Sequence, residues 1–117
     1  MSIVVLHQSA TLPGLKDQGW PARPLTQPPC RLRGIDVELA GAGDNNSGLW
    51  ECEPGRFERQ LANAEVMHIL TGAGTFTPTG AAPLQIRAGD TLFFPANTTG
   101  EWHVHQTLRK VFVVMAM

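Results

Sequence analysis

Two histidines near the carboxyl end of the chain are separated by a single residue, in the segment His103-Val104-His105. If this segment is a strand, both imidazoles project from the same face, because side chains alternate between the faces of a strand. Imidazole nitrogens are common ligands of zinc, copper, iron and nickel. The spacing therefore permits a two-histidine contribution to a metal site, and it equally fits a histidine pair on the surface or at a subunit interface.

A glutamate, Glu65, opens a mostly apolar stretch at residues 65–70. A buried carboxylate costs several kcal/mol unless it is paired, hydrogen-bonded or protonated, so Glu65 needs a partner if it faces a core. One expectation is an ion pair with Arg56, Arg59 or Arg87. The alternative is a functional carboxyl group that, beside Glu58, acts as a general acid or base on a small bound molecule.

The composition excludes several classes of protein. The formal net charge is -1, the pI is about 6.4, and no cluster of basic residues could follow a phosphate backbone, so nucleic-acid binding is not expected. The apolar run at residues 3–6 is too short for a signal-peptide core, and no segment reaches membrane-spanning length, so we expect a soluble cytoplasmic protein with no membrane partner. Cys30 and Cys52 are expected to be buried free thiols, because two distant cysteines make neither a disulfide scaffold nor a metal knuckle.

The first quarter of the chain is interrupted by prolines and glycines, which exclude a long helix and most central strands. We expect residues 1–30 to form an arm that packs on the rest of the protein or on a partner subunit, anchored by Trp20 and Leu25. Residues 32–39 alternate with period two and predict a strand. Residues 111–115 are almost wholly apolar, which suggests burial on both faces, as at a subunit interface.

Short strands follow one another through residues 31–117, separated by turn signals rich in glycine and proline. No helical pattern of useful length interrupts them. Such a chain predicts an all-β sandwich or barrel, and full closure would remove exposed strand edges. The length of 117 residues fits one domain of this kind.

Several ordered motifs carry a resemblance to a known family: residues 48–57, Glu65 to Gly72, Ala88-Gly89-Asp90, Phe94-Pro95, Trp102-His103-Val104 and Arg109-Lys110-Val111. Together they resemble the cupin type 3 family, the small single-domain cupins similar to the ethanolamine-utilisation cupin and to (S)-ureidoglycine aminohydrolases. The resemblance implies a double-sheet jelly-roll barrel, often dimeric, with a pocket between the sheets. It does not imply a reaction, because fold alone does not fix chemistry.

The metal site of the resembled family is incomplete in this sequence. In metal-binding cupins a histidine pair, a glutamate and a later histidine hold Fe, Mn, Ni or Zn. The matching positions here are Glu58, Gln60, Glu65 and Gly100, so the glutamate is kept and the imidazoles are replaced. Oxygen ligands favour harder ions such as Mg, Ca or Mn, which these side chains would hold weakly. We predict no firmly bound cofactor, and at most a weakly held divalent metal.

Alternation along the strands predicts which side chains face the barrel interior. If Glu65 faces inward, Met67 and Ile69 also do, and His68 lies outside. If position 100 faces inward, Trp102 and Val104 also do, and His103 and His105 lie outside. A β-bulge would reverse these assignments, and Gly100 is one place where a bulge could occur.

Arg109 and Lys110 precede the apolar strand at residues 111–115. Our expectation is an ion pair with Glu51 or Glu53. The alternative is an arginine that recognises an anion near the pocket mouth, since guanidinium binds carboxylates in a bidentate manner.

The sequence leaves three functions open. We favour a homodimeric cupin that binds a small polar molecule in the barrel pocket through Glu58, Gln60, Glu65 and Trp102, although Trp102 could equally be a core filler. The second function is a metal-dependent hydrolase or isomerase acting on a small carboxylate, amine or ureide, with Glu65 as ligand or general acid/base, as the resemblance implies. The third is an assembly module, which would fit a sealed barrel.

Overall fold

The computed structural model of the chain describes residues 3–59 and 61–116. In these residues no helix is long and apolar enough to cross a membrane. The prediction of an all-β fold is confirmed, since the described residues form eight strands and no helix: β1 (Lys16–Asp17), β2 (Leu32–Val37), β3 (Asn46–Cys52), β4 (Gly55–Glu58), β5 (Glu65–Pro78), β6 (Leu84–Arg87), β7 (Thr91–Phe94) and β8 (Gly100–Val114).

Two long antiparallel strands, β5 and β8, pair along their length and form the spine of the sheet. The second half of β8 also pairs with β3, and its first half pairs with β4. The first half of β5 pairs with β7, and its second half pairs with β6. Each long strand therefore contributes to two half-sheets, which is how one continuous sheet forms a double-layered barrel.

The change from one half-sheet to the other occurs at irregularities in the pairing of β5 with β8, between Ile69 and Gly74. Gly72 makes this bend possible, because its φ of 91° is unfavourable for other residues and an added Cβ would lie 2.1 Å from the carbonyl oxygen of Thr107. Gly100, named from the sequence as one place where a bulge could occur, pairs regularly with Pro78.

The interior is apolar and draws on both half-sheets. Met67, Ile69 and Leu108 are fully buried from one half, and Phe76 and Trp102 are buried from the other. All five belong to a single cluster. Glu65, Met67 and Ile69 face inward, and so do Trp102 and Val104, as the alternation predicts. The irregularities of β5 begin only after Ile69 and do not change these orientations.

The amino-terminal segment lies against the barrel at three places. The guanidinium of Arg109 donates hydrogen bonds to the carbonyls of Ser9 and Leu12, both at 2.9 Å. Strand β1 pairs with β2, and the backbone N–H of Leu25 donates to the carbonyl of Arg56. Trp20 and Leu25 are 60% and 41% exposed, so their side chains do not anchor the segment to its own barrel, and anchoring on a partner subunit stays a prediction. Backbone hydrogen bonds hold the segment on its own barrel.

Cys30 and Cys52 are both free and buried in the core cluster, as predicted. Burial raises the pKa of the Cys52 thiol, and the neighbouring Cys30 raises it further. A thiol in this environment is a packing group and is poorly suited to act as a nucleophile.

The apolar run at residues 111–115 is not buried on both faces within one chain. Phe112 and Val114 are half-buried, whereas Val111, Val113 and Met115 are exposed. The alternation places the exposed residues on the outer face of the sheet. An interface between subunits on this face remains a prediction.

Candidate functional site

A pocket of about 290 Å³ opens into one end of the barrel. This volume lies just below the roughly 300–1,000 Å³ that is usual for ligand sites, so only a small molecule fits. The walls are mainly aromatic and charged, with two residues of the amino-terminal segment at the edge: Pro21, Ala22, Leu32, Trp50, Phe57, Glu58, Arg59, Leu61, Glu65, Trp102 and Lys110.

The charged part of the wall is centred on Glu65 at the start of β5. Its Oε2 accepts a hydrogen bond of 2.7 Å from Nζ of Lys110, and its Oε1 accepts one of 3.4 Å from Nη2 of Arg59. All three side chains are more than nine-tenths buried. The expected arginine partner is thus Arg59, whereas Arg56 pairs with Glu101 and Arg87 is exposed. We call Glu65, Lys110 and Arg59 the charged cluster.

Lys110 is the residue of the charged cluster that the sequence did not predict as a partner of Glu65. It lies on the inner face of β8, between Leu108 and Phe112. Its Nζ is 4.5 Å from the centre of the Trp50 ring and 5.8 Å from that of Phe112, within the range of cation–π attraction. Burial lowers the pKa of Lys110, an effect that Glu65 opposes and Arg59 reinforces.

Arg59 connects the charged cluster to the loops around it. Its guanidinium donates to the carbonyls of Leu61 and Asn63 on one side and of Thr98 on the other. It also lies over the ring of Phe94, 4.9 Å from the ring centre. Burial lowers the pKa of Arg59, and Glu65 opposes that shift. Its main contribution is to hold these loops and to orient Glu65.

Trp102 forms the wall of the pocket nearest to the aromatic core. Its ring centre lies 5.1 Å from that of Phe76 and 6.1 Å from that of Phe94. No described residue accepts a hydrogen bond from the indole N–H of Trp102 or of Trp50. Since no side-chain nitrogen or oxygen of the described residues is both fully buried and without a partner, these two nitrogens are not fully buried. Both N–H groups therefore reach space that a solvent or ligand molecule can enter.

The other predicted pocket residues are placed less deeply. The Glu58 side chain lies at the rim, is 45% exposed and pairs with Arg23 at 3.6 Å. Glu58 and Glu65 thus have different cationic partners and different burial. Gln60 lies outside the described residues. Of the predicted set, the structure brings Glu58, Glu65 and Trp102 together around one pocket.

The histidines lie on the outside of the barrel. His103 and His105 are exposed and their ring centres are 4.1 Å apart, so they share a face as predicted. His105 shares a hydrogen bond of 3.0 Å with Thr75, and His68 shares one of 2.7 Å with Thr91. In residues 3–59 and 61–116 there is no group of three His, Cys, Asp or Glu side chains that could hold a metal ion.

The charged cluster also bears on the metal site that the family resemblance implies. Both oxygens of Glu65 already accept hydrogen bonds from cationic side chains, Oε2 from Lys110 and Oε1 from Arg59. A metal ion there would meet two positive charges at close range. Position 100 is a glycine and offers no ligand. The described residues therefore do not fit a metal ion at Glu65.

Arg109 and Lys110, neighbours in sequence, have different partners. Arg109 on the outer face binds Oε1 of Glu51 through Nε at 3.1 Å and Nη2 at 3.0 Å, which confirms the predicted ion pair with Glu51. The same expectation is wrong for Lys110, which pairs with Glu65. The signal that could have found it is the alternation from Leu108 through Lys110 to Phe112, which places the lysine inside.

Comparison with known proteins agrees with the fold. Among solved structures, EutQ from Clostridium difficile superposes with a TM-score of 0.65 at 17% identity, over 80% of this chain and 75% of that protein. A protein of unknown function from Pseudomonas syringae, of the DUF861 family, gives 0.77 at 20% identity, over 87% of this chain and 44% of that one. A DUF861 family protein from Thermotoga maritima gives 0.57 at 20% identity, over 70% and 99%.

At these identities the structural likenesses show the fold alone. The comparison with curated proteins finds no match. The model of the EutQ-like cupin domain, in contrast, matches residues 39–112, which is more than half of the chain. The resemblance seen in the sequence motifs is thereby confirmed, and the chain belongs to the EutQ-like cupin family.

Proposed function

We propose that the chain binds a small polar molecule in the barrel pocket and does not require a metal ion to do so. The observation that carries this proposal is the charged cluster in the pocket wall. Replacing a buried ion pair by well-packed apolar residues is often neutral, or stabilising by about 1–4 kcal/mol. Glu65, Lys110 and Arg59 are therefore a poor means of stabilising a barrel, and recognition of a polar molecule gives them a use.

The shape of the pocket supports the same proposal. A module that served assembly alone would fit a barrel whose interior is filled by side chains. Here a space of about 290 Å³ remains between aromatic walls and the charged cluster. Apolar walls with a few polar groups at fixed positions are typical of small-molecule sites.

The metal-dependent hydrolase or isomerase is not favoured by any contact in the described residues. Its essential carboxylate, Glu65, is engaged by Lys110 at 2.7 Å, and the second carboxylate, Glu58, pairs with Arg23 at the rim. A divalent ion at either carboxylate would meet the positive charge that is already paired with it.

A pair of blocking substitutions tests the location of binding. Ala22 is exposed at the mouth of the pocket, and Ala81 is exposed in a neighbouring groove of about 530 Å³. We expect small polar molecules that raise the Tm of the wild type to do so for Ala81→Trp and to lose the effect for Ala22→Trp. If only Ala81→Trp loses the rise in Tm, the molecules bind in the groove and not in the pocket. If no compound in a broad library raises the Tm of the wild type, the proposal is overturned.

A further inference from the structure

We propose that Lys110 is a nucleophile that forms an imine with a small aldehyde or ketone in the barrel pocket. This inference rests on the proposed function, since the carbonyl compound has to enter the same pocket. It goes beyond reversible binding, because a covalent bond forms between the protein and the bound molecule. Three features of the pocket carry it: the position of the amine, a proton acceptor in contact with it, and walls that suit the product.

The two lysines of the chain lie in opposite environments. Lys16 is exposed on the edge strand β1. Lys110 lines the pocket, and 9% of its side-chain surface is exposed. Among the described residues, Glu65 alone accepts a hydrogen bond from Nζ of Lys110, although an ammonium has three donors. The nitrogen therefore has free directions from which a molecule in the pocket can approach it.

A proton acceptor is in contact with this nitrogen. An ammonium is not a nucleophile, so Lys110 must first lose a proton. Burial favours this loss, because it disfavours the charged form and lowers the pKa of Lys110. Oε2 of Glu65 lies 2.7 Å from Nζ, within the reach of direct proton transfer. The carboxylate can thus take the proton from nitrogen and return it to the carbonyl oxygen, while the desolvated amine attacks.

The reaction balances without a further reactant. The lone pair of Nζ forms a bond to the carbonyl carbon, and the carbonyl oxygen takes up the proton held by Glu65 and becomes a hydroxyl group. The nitrogen then loses a second proton, which Glu65 passes to the hydroxyl group, and water leaves as the C=N bond forms. The ammonium and the carbonyl compound thus give one protonated imine and one water molecule, and neither is oxidised or reduced.

The walls of the pocket suit this product. A protonated imine is positive at nitrogen, as the ammonium is, so Oε2 of Glu65 and the Trp50 ring, 4.5 Å from Nζ, can stabilise both. The rings of Trp50 and Phe57 lie 6.2 Å apart between centres, and Trp102 closes the inner side. These faces suit an apolar group on the carbonyl carbon. A space of about 290 Å³ that holds such a group leaves little room for the water that would hydrolyse the imine.

The test traps the imine by reduction in the folded protein. Wild type is mixed with butanal or benzaldehyde and sodium cyanoborohydride, which reduces an imine to a stable secondary amine, and peptide mass spectrometry follows the label on each lysine. Lys16 is the control in the same chain. Burial alone would make Lys110 the slower of the two, whereas we expect it to be labelled about tenfold or more faster than Lys16. In denaturant the preference should disappear, and a preference that persisted there would overturn the role of the pocket.

A pair of blocking substitutions assigns the reaction to the pocket without changing a buried residue. Ala22→Trp at the mouth should slow the labelling of Lys110 and leave that of Lys16 unchanged, whereas Ala81→Trp in the neighbouring groove should change neither. Equal rates at Lys110 in the two variants would overturn a reaction inside the pocket. Both positions are exposed, so the comparison does not depend on a variant that removes the buried lysine.

The failure of this inference can be told apart from that of the proposed function. If Lys110 is labelled no faster than Lys16, while compounds of the library still raise the Tm of the wild type and not of Ala22→Trp, the nucleophile is overturned and binding in the pocket stands. If Lys110 is labelled no faster and no compound raises the Tm, both fail. Fast labelling of Lys110 that Ala22→Trp blocks supports both.

Discussion

The inner and outer faces of strand β8 use neighbouring cations in opposite ways. Arg109 on the outer face makes hydrogen bonds to Glu51 and to the carbonyls of Ser9 and Leu12, so it joins two strands to the amino-terminal segment. Lys110 on the inner face makes one hydrogen bond, to Glu65, and lies against aromatic rings at the pocket.

The difference follows from the chemistry of the two side chains. A guanidinium presents five donors in a rigid plane and suits a fixed structural junction. An ammonium is compact, has three donors that rotate together and can exchange one partner for another. The outer cation has acceptors in several directions, whereas the inner cation retains donors that no described residue uses. Counting acceptors thus distinguishes the structural junction at Arg109 from the cation that the proposed function places at the pocket.

The largest expected effect is that of Glu65→Leu. The substitution leaves Lys110 and Arg59 buried without their carboxylate, and removing one partner of a buried ion pair costs about 3–5 kcal/mol. Chemical denaturation would measure the change in the free energy of unfolding. Combining Glu65→Leu with Lys110→Met should recover a large part of the loss, because the buried lysine charge is then removed.

The outer face supplies the control for that experiment. Glu51→Leu removes the carboxylate partner of Arg109, which keeps its bonds to the two backbone carbonyls, so a smaller loss of about 1–2 kcal/mol is expected. If Glu51→Leu destabilised the protein as much as Glu65→Leu, the distinction between the two faces would not hold.

The next effect in size is that of Arg109→Met. Loss of the hydrogen bonds to Ser9 and Leu12 should destabilise the protein by about 1–3 kcal/mol and expose residues 6–12 to proteases. Limited proteolysis with mass spectrometry would locate the cleavage. Arg31→Met is the control, since its ion pair with Asp17 is exposed and contributes little. Equal cleavage rates in the two variants would contradict the anchoring role of Arg109.

A third experiment concerns the exposed apolar side chains on the outer face of β8. If the predicted homodimer uses this face, Val113→Asp should convert dimer to monomer in sedimentation experiments. The stability of the monomer should change by no more than about 0.5 kcal/mol, because Val113 is exposed. Leu39→Asp, at an exposed position outside the strands, is the control. If the wild type sediments as a monomer, the predicted dimer is excluded. If Val113→Asp still sediments as a dimer, this face is not the dimer interface.

The smallest effect is expected at the outer histidines. Partial burial lowers the pKa of His103, His105 and Arg56 lower it further, and Glu101 opposes them. His105→Asn should therefore raise the pKa of His103 toward its ordinary value, which NMR titration would measure. The hydroxyl of Thr75 also contacts this pair, because it shares a hydrogen bond with Nε2 of His105. An unchanged or lowered His103 pKa in the variant would show that His105 is not a cause.

The lowered pKa of His103 also fixes a sign for stability against pH. As the pH falls, the unfolded chain takes up this proton before the folded chain does, so His103 disfavours the folded state below its unfolded pKa. This contribution is absent at higher pH and is complete once the pH has passed below the folded pKa. The slope should be weaker in His105→Asn.

The fold could be predicted from the sequence because its signals are local. Alternation and turn residues located most strands, and the motifs around Glu65 and Trp102 gave their orientation correctly. Lys110 was missed because its partner is 45 residues away and lies in another strand. The register of β8 against β5 includes irregularities beside Gly72, which no pattern in the sequence predicts.

The amino-terminal segment shows a second limit. Trp20 and Leu25 were chosen as anchors because large apolar side chains usually drive docking. Within one chain the segment is held by carbonyl oxygens and N–H groups of its backbone, which every residue carries and which the sequence pattern does not reveal. The outer and inner positions of Arg109 and Lys110 could be predicted by alternation, and so could the partner of Arg109, Glu51, whereas the partner of Lys110 could not.

The mouth of the pocket is formed in part by Pro21 and Ala22, which belong to no strand. Segments of this kind accept insertions and substitutions more readily than strands do, because few core contacts depend on them. If the proposed function holds, substitutions at this edge would change which molecules enter the pocket while the barrel, with its buried charges, stays the same.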